Sequence, residues 1–342
     1  VLERPQFWRR GLPGSAAVRA LLTPVSWLYG AVVWWRNRRF DSVDGMVVPP
    51  ACPTVSVGNL TVGGTGKTPV TAWIAAALAS GGARVGIVLR GYGADEVHVL
   101  RRLVPSAVVV ADPDRVSGIA EARREGATTI VLDDGFQHRR AGRHLDIVLL
   151  SADAADESLE LLPAGPFREP VENLRRAGLV IVTRKAADDA AVAAVTGLVR
   201  RVAPAVPLAV LALSPDALHR WDGAASAPLS MLADCQVAAV SGIGEPIPFE
   251  RQLAAAGARV TGFRYGDHHA FTAGDVGDLL RRVPSDAVVV CTLKDAVKLG
   301  PLWPDPAPPL WYLSQRITVE RGAAAIDAAL ATLPQPSHPA ST

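Results

Sequence analysis

Short, mostly β-branched apolar runs alternate with longer segments of helical period through most of the chain. The runs at 54–58, 84–89, 107–111, 129–133, 145–151, 179–183, 207–213, 236–241, 259–263 and 286–292 are almost continuously apolar. That is the pattern of strands buried on both faces of a mainly parallel sheet. Between them, 70–80, 116–125, 188–201, 249–257 and 275–282 carry helical spacing. The alternation predicts an α/β fold with helices on both faces of the sheet. A boundary is expected near Pro204–Leu213, where strand signals resume after a long helix. The predicted organisation is an N-terminal helix over 1–40, a core over 41–205, a smaller α/β domain over 206–333 closing a cleft, and a frayed Pro/Ser-rich tail over 334–342.

The first segment differs from the rest. Residues 16–39 place Leu21, Val25, Leu28, Val32 and Trp35 at helix-face spacing, with Arg36, Arg38 and Arg39 at the end. Four of the eight tryptophans, Trp8, Trp27, Trp34 and Trp35, fall in the first 35 residues. Arg19 and Pro24 interrupt the apolar stretch, leaving it short for a span of roughly 20 residues. An amphipathic helix lying in a lipid interface fits the pattern, and so does an ordinary core-packing helix with a basic end.

With 342 residues, 49% hydrophobic and 20% charged, the composition is globular. The net charge of +2 gives no electrostatic case for nucleic acid, and none is expected as a partner. Cys52, Cys235 and Cys291 form no CxxC pair and adjoin apolar runs, which predicts buried free thiols and no structural zinc. The N-terminus lacks the compact apolar stretch and small-residue cleavage site of a signal peptide.

The chemistry concentrates in Thr54–Thr68, where a β-branched run feeds a glycine turn ending in Lys67-Thr68 and a helix follows. Gly63, Gly64 and Gly66 allow consecutive N–H groups to converge on phosphate oxygens, and the helix N-terminus favours the same anion. Lys67 is placed for the outer phosphates of a nucleotide and Thr68 for Mg²⁺. The usual spacing of such loops puts glycine where this chain has Thr61; a plain glycine turn is the alternative. Asp133-Asp134 ends an apolar strand, where an acid of a phosphate-loop protein holds Mg²⁺. Asp95 with Glu96, and Asp267-His268-His269, offer a carboxyl–imidazole pair for proton transfer, although no spacing shows that they meet. Arg168, in Leu162–Pro170, has the fork suited to a phosphate. Thr292-Leu293-Lys294-Asp295 follows the last strong strand.

Taken together, VGNLTVGGTGKTPV, RGYG, DDGFQHRR, LDIVLL, LLPAGPFREP, SGIGEP, FRYGDHH and KDAVKL resemble the tetraacyldisaccharide 4′-kinase family in sequence and order. The Thr61 departure is shared with that family. The resemblance implies a P-loop kinase core that moves the γ-phosphate of ATP to the 4′-hydroxyl of the lipid A disaccharide 1-phosphate. It implies ATP on Thr61, Gly63, Gly64, Thr65, Gly66, Lys67 and Thr68, and Mg²⁺ on Thr68, Asp133 and Asp134. Arg115, Gln137, His138 and Arg168 would lie toward the disaccharide and its 1-phosphate, with Asp95 and His268 catalytic beside Lys67. It also implies a peripheral position at the cytosolic face of the bacterial inner membrane, with little link expected between helix and nucleotide site.

Two positions depart from the family pattern. Asp95 follows Gly93 by two residues where the family carries a long insert, with Val97 in place of a proline. Leu293 replaces an acid. A partition-type P-loop switch ATPase is the alternative from another class. Those enzymes carry a lysine before the double glycine, where this chain has Val62 and no second lysine close in sequence. A soluble kinase for another sugar or nucleotide is a third reading.

Overall fold

The computed structural model describes residues 5–12, 14–91, 94–244 and 246–335. Tyr92 and Gly93 of RGYG, Glu245 of SGIGEP and the end of the expected tail lie outside the described residues. The chain divides into two compact units. Among the described residues the larger comprises those within 5–91, 100–213 and 317–335, and the smaller those within 94–99 and 214–316. The chain thus passes between units at 213/214 and not at 205/206, and 317–335 returns to the larger unit. Hydrophobic period marks elements, not the body into which each one packs, so the sequence placed these limits differently.

The larger unit begins with α1 (Ser15–Ser42), then β1 (Thr54–Asn59), α2 (Lys67–Ser80) and β2 (Val85–Leu89). α3 (Ala94–Leu103) begins in the smaller unit and ends in the larger. There follow β3 (Val108–Ala111), α4 (Arg115–Arg124), β4 (Thr129–Asp133), β5 (Leu145–Ser151), β6 (Leu179–Arg184), α5 (Asp189–Val202) and β7 (Leu208–Arg220), whose first half belongs here. Its sheet runs β3-β2-β4-β1-β5-β6-β7, every pair parallel. β1, β2 and β4 are buried at every position, as their continuous apolar runs require. Strand order reverses at β1, which has β4 on one side and β5 on the other. The loop leaving β1 therefore opens at the carboxyl edge where such sheets take ligands.

The smaller unit holds the end of β7, then β8 (Ser226–Pro228), β9 (Gln236–Ser241), α6 (Pro246–Ala255), β10 (Arg259–Arg264), α7 (Ala273–Arg282), β11 (Val288–Thr292), α8 (Leu293–Leu299) and most of β12 (Leu310–Arg321). β10-β9-β11-β12 are parallel, and β8 pairs antiparallel with β7. α9 (Ala323–Ala331) closes the described chain, back in the larger unit. The predicted strands and helices all form. β8, β12, α3, α8 and α9 were not predicted: β12 is apolar only at its start, and α8 is too short for a period to register. All three cysteines are free thiols; Cys291 is buried, but Cys52 and Cys235 are only partly so.

α1 departs most from expectation. It is one unbroken helix of 28 residues through Pro24, long and apolar enough by composition to cross a membrane. Proline removes one main-chain bond, and the flanking turns together with docking along the helix outweigh that loss. Its buried residues are Ser15, Ser26, Val33 and Asn37, whereas the spaced apolar set Leu21, Val25, Leu28, Val32 and Trp35 faces outward. The core-packing alternative is thereby overturned.

Glycines separate close approach from mere flexibility. A Cβ on Gly58 of β1 would lie 2.6 Å from Phe136 Cβ and 2.9 Å from its main-chain nitrogen, whereas Gly197 of α5 has nothing within 4 Å. Gly58→Ala is expected to lower unfolding free energy by about 1–3 kcal/mol through overpacking. Gly197→Ala should raise it by about 0.5–1 kcal/mol. Denaturant unfolding of both variants checks the pair, and equal effects would contradict the packing assigned to Gly58.

Candidate functional site

The loop after β1 is held from several directions. Gly63 and Gly66 take positive φ values of 99° and 81°. At Gly66 a Cβ would also meet Leu213 Cδ2 at 2.8 Å, so glycine is needed there for both angle and space. Thr61 bridges Phe167, and Val62 N–H donates to Pro166 O at 2.9 Å. Thr65 is buried, and its carbonyl accepts from Thr183 Oγ1 at 2.9 Å. Gly64 is exposed, and Thr68 is half-buried beside Lys67 in the first turn of α2. The sequence offered no second lysine near this loop, yet the fold supplies one. Lys185, just past β6, donates from Nζ to Gly64 O at 3.2 Å.

Asn59, the last residue of β1 and wholly buried, organises the loop, and the sequence reading gave it no role. Its Nδ2 donates to Thr65 Oγ1 at 3.0 Å. Its Oδ1 accepts from Lys67 Nζ at 3.3 Å and from Arg168 Nη2. Its carbonyl accepts from Gln137 Nε2 at 2.8 Å. An amide with both a donor and an acceptor end is suited to this position, because hydroxyl and cations approach it from opposite sides.

Two acids stand at the end of β4, Asp133 as its last residue and Asp134 just after it. Asp133 is buried and accepts from Thr71 Oγ1 at 2.7 Å. Asp134 has a positive φ of 53° and receives the Arg168 fork, Nη1 to Oδ2 at 3.1 Å and Nη2 to Oδ1 at 2.9 Å. Lys67 Nζ stands 3.7 Å from the same Oδ1. Burial alone would raise the Asp134 pKa; Lys67 and Arg168 outweigh it and bring the group from an ordinary 3.8 to about 2. Arg143 moulds the segment that carries these residues. It donates to the carbonyls of Gly135, Phe136, His138 and Ala141, and it pairs with Asp146 at 3.0 Å.

Arg115, which the resemblance assigned to the disaccharide side, is deeply placed at the end of β4. Its side chain is 2% exposed and donates to the carbonyls of Asp112 at 2.9 Å and Asp133 at 3.1 Å. It braces the end of β4 from within, since a guanidinium at that depth must spend its donors on nearby carbonyls. His138 is half-buried with Nε2 3.9 Å from Asp114; burial and the nearby Arg115 charge lower its pKa and favour the neutral ring.

In the smaller unit the structure joins the two residues that sequence spacing left apart. Asp95, 6% exposed in the first turn of α3, has Oδ2 3.2 Å from His268 Nδ1. His268 follows β10 at a positive φ of 55°, and its N–H donates to Gly242 O at 3.1 Å in the SGIGEP segment. Asp95 and His268 are therefore in contact, although they lie 173 residues apart. Leu293 is a partly buried side chain packed on the cluster around Phe263 and Phe271.

A nucleotide phosphate fits the loop: Gly63 and Gly66 sit at positive φ, which glycine adopts without strain, a helix N-terminus follows, and Lys67 is beside it. Among the described residues, no group of three or more His, Cys, Asp or Glu side chains converges as a ready metal centre. Asp133 and Asp134, with the Thr68 hydroxyl beside Lys67, are oxygen donors that would suit a hard cation such as Mg²⁺.

A family model described as tetraacyldisaccharide-1-P 4′-kinase, LpxK, matches residues 18–334. A tetraacyldisaccharide 4′-kinase of Anaeromyxobacter sp. (strain Fw109-5) is 36% identical over 329 residues, 88% of each chain. That of Anaeromyxobacter dehalogenans (strain 2CP-C) is 41% identical over 329 residues, covering 86% of this chain and 85% of its own. A crystal structure of LpxK from Aquifex aeolicus in complex with ATP superposes with a TM-score of 0.72 at 27% identity, covering 92% of this chain and 99% of that one.

The depressed Asp134 value gives a test in acid. A carboxyl held below its unfolded value contributes stability in full above about pH 4 and loses it as pH falls toward about 2. The stability difference between the parent protein and Asp134→Asn should therefore be largest near neutrality and shrink across that interval. Chemical denaturation at a series of pH values measures it, and a difference independent of pH would remove the assigned pairing.

Proposed function

The chain belongs to the tetraacyldisaccharide 4′-kinase family, and on that premise we propose that it transfers the γ-phosphate of ATP to the 4′-hydroxyl of a tetraacyldisaccharide 1-phosphate, a lipid A precursor. The observation that carries the reading is the cluster of Lys67, Asn59, Arg168 and Asp134 gathered on a glycine loop at the carboxyl edge of a parallel sheet. Phosphoryl transfer through a loose transition state depends on positioning and charge more than on covalent help. Lys67 takes the outer phosphates, and the N–H groups from Gly63 to Thr68 take the rest. Asp133 and Asp134 hold Mg²⁺ together with Thr68, and that ion, when bound, neutralises charge on the phosphates. Because Lys67 and Arg168 keep Asp134 ionised, the carboxylate is ready as a ligand without first losing a proton. Gln137, His138 and Arg168 are the groups assigned to the disaccharide phosphate side.

The Asp95–His268 pair serves the acceptor hydroxyl. In a loose transition state the nucleophile needs orientation first and loses its proton late. One member accepts the hydroxyl proton while the other orients or tunes it.

The lipid substrate suits α1. Its polar face is docked on the larger unit over nearly its whole length, from Arg19, 3.4 Å from Glu160, to Asp41, 2.5 Å from Arg139. A helix fastened in that way lies in the interface plane and does not cross the bilayer. Trp27, Leu28, Trp34 and Trp35 face outward, and Arg38 and Arg39 lie over the rings of Trp34 and Trp35. Aromatic rings and cations side by side suit headgroup level, and the proposed location is the cytosolic face of the inner membrane, where ATP is available.

Purified protein with radiolabelled ATP and the tetraacyldisaccharide 1-phosphate should yield a labelled 4′-phosphorylated product. Lys67→Ala is expected to cut turnover by about 10²–10³ or more while the fold is retained. Turnover near that of the parent in a folded Lys67→Ala protein would end the proposal, as would label appearing only as free phosphate.

Contact between Asp95 and His268 leads to a second test. Asp95→Ala and His268→Ala should each lower kcat with little change in ATP affinity. The double variant should be scarcely worse than the worse single, because groups acting as a unit are non-additive. Multiplicative losses would show that the two act separately.

A further inference from the structure

α1 is bound to the phosphate site more closely than a lipid anchor requires. Glu169, with a fully buried side chain, accepts four hydrogen bonds. Arg36 Nη2 donates to Oε1 at 2.8 Å. Asn37 Nδ2 at 3.1 Å, Asn173 Nδ2 at 2.6 Å and Arg176 Nη2 at 2.8 Å donate to Oε2. Two of these donors, Arg36 and Asn37, belong to α1.

The preceding residue is Arg168, and a third α1 side chain holds it. Tyr29 Oη donates to Arg168 O at 2.9 Å. From the other side, Arg168 N–H donates to Leu60 O at 2.7 Å at the start of the phosphate loop, and its guanidinium forks onto Asp134. The two-residue segment Arg168-Glu169 is thus clamped between α1 and the loop. Below it, Ser26 Oγ donates to Leu161 O at 3.0 Å and accepts from Ala164 N–H at 3.0 Å. Gly30 brings the helix close, since a Cβ there would stand 2.8 Å from Leu161 Cδ1.

We propose that Glu169 is a positioning residue through which the seating of α1 sets the Arg168 fork, so that binding to a lipid surface and binding of nucleotide are coupled. The inference rests on the proposed function, in which α1 meets the bilayer and the glycine loop holds ATP. It replaces the expected independence of helix and nucleotide site with a physical connection. A planar fork is sensitive to displacements well under an ångström, because both N–H···O bonds must stay aligned. A buried carboxyl between two guanidiniums resists partial release, because losing one partner leaves charge in a poorly solvated place. The segment therefore moves with α1 as a piece. Linkage makes the effect mutual: whatever lipid does to ATP affinity, ATP does to lipid affinity by the same factor.

The experiment uses the full chain. ATP affinity with Mg²⁺ is measured with and without saturating vesicles of phosphatidylethanolamine and phosphatidylglycerol, and vesicle partitioning with and without ATP. Vesicles should tighten ATP by about fivefold or more, and ATP should tighten partitioning equally. Tyr29→Phe removes the bond to Arg168 O, and Arg36→Met removes one guanidinium from Glu169. Each should bring the factor toward one: Tyr29→Phe with vesicle binding without nucleotide and the Tm near the parent's, and Arg36→Met with a lower Tm, because Glu169 is left with one guanidinium fewer. Glu169→Gln should act likewise, and the two α1 variants decide the matter if it does not fold. Equal ATP affinity on and off vesicles in the parent overturns the coupling and leaves the proposed function standing. A parent that binds no vesicles, or no ATP, overturns both. A full factor retained in both α1 variants overturns the route through Glu169.

Discussion

The geometry of the larger unit's site depends on one carboxylate kept ionised among cations. Asp134 receives the Arg168 fork and stands 3.7 Å from Lys67, in a left-handed conformation that a non-glycine residue adopts only when its surroundings enforce it. Arg143 enforces it, by gathering four carbonyls of the following segment. Removing any cation would leave the acid partly uncompensated; removing the acid would leave Lys67 and Arg168 facing each other. The start of α2, the end of β4 and the Leu162–Pro170 segment are consequently held in register by charge, with Asn59 bridging where the charges do not reach.

This arrangement explains how a kinase loop can be ordered before its nucleotide arrives. Lys67 already has oxygen partners on Asn59 and Asp134, so the ammonium is not stranded. Under the proposed function a phosphate entering the loop would exchange those partners for its own oxygens, leaving Asp134 charged and able to serve a metal ion. The cost of ordering the loop has been met by folding, which is the meaning of preorganisation in an electrostatic site.

What could be read from the sequence was whatever local pattern controls. The ten strands and five helices follow from apolar period, and the phosphate loop from glycines next to Lys67-Thr68. Asn59 was invisible because a single asparagine at a strand end has no pattern; its importance comes from Thr65, Lys67, Gln137 and Arg168 arriving from four directions. Lys185 lies 121 residues from Gly64 and was likewise out of reach. Asp95 and His268 were singled out as residue types, but only the fold could bring positions 173 residues apart to 3.2 Å. Arg115 was singled out as well, but its bonds to the carbonyls of Asp112 and Asp133 could not be read from a motif position, which says nothing about which way a side chain turns. The unit boundaries escaped for a similar reason: β7 and β12 each run through one.

α1 carries the argument furthest from sequence pattern. An amphipathic helix on a protein surface ordinarily buries its apolar stripe, and this one buries Ser26 and Asn37 while exposing Leu21, Leu28 and Trp27. Apolar burial against the protein therefore contributes little to holding it in place; hydrogen bonds and ion pairs do most of that work. Such contacts weaken where water competes and strengthen where water is excluded. Beside a bilayer the outward face gains apolar surroundings, and the polar contacts behind it are shielded from solvent. Under the proposed function both changes favour the seated helix, and the seated helix is the one that holds Arg168. Under that reading the inverted polarity of α1 is a single cause with two effects, attachment to the lipid surface and order at the phosphate site.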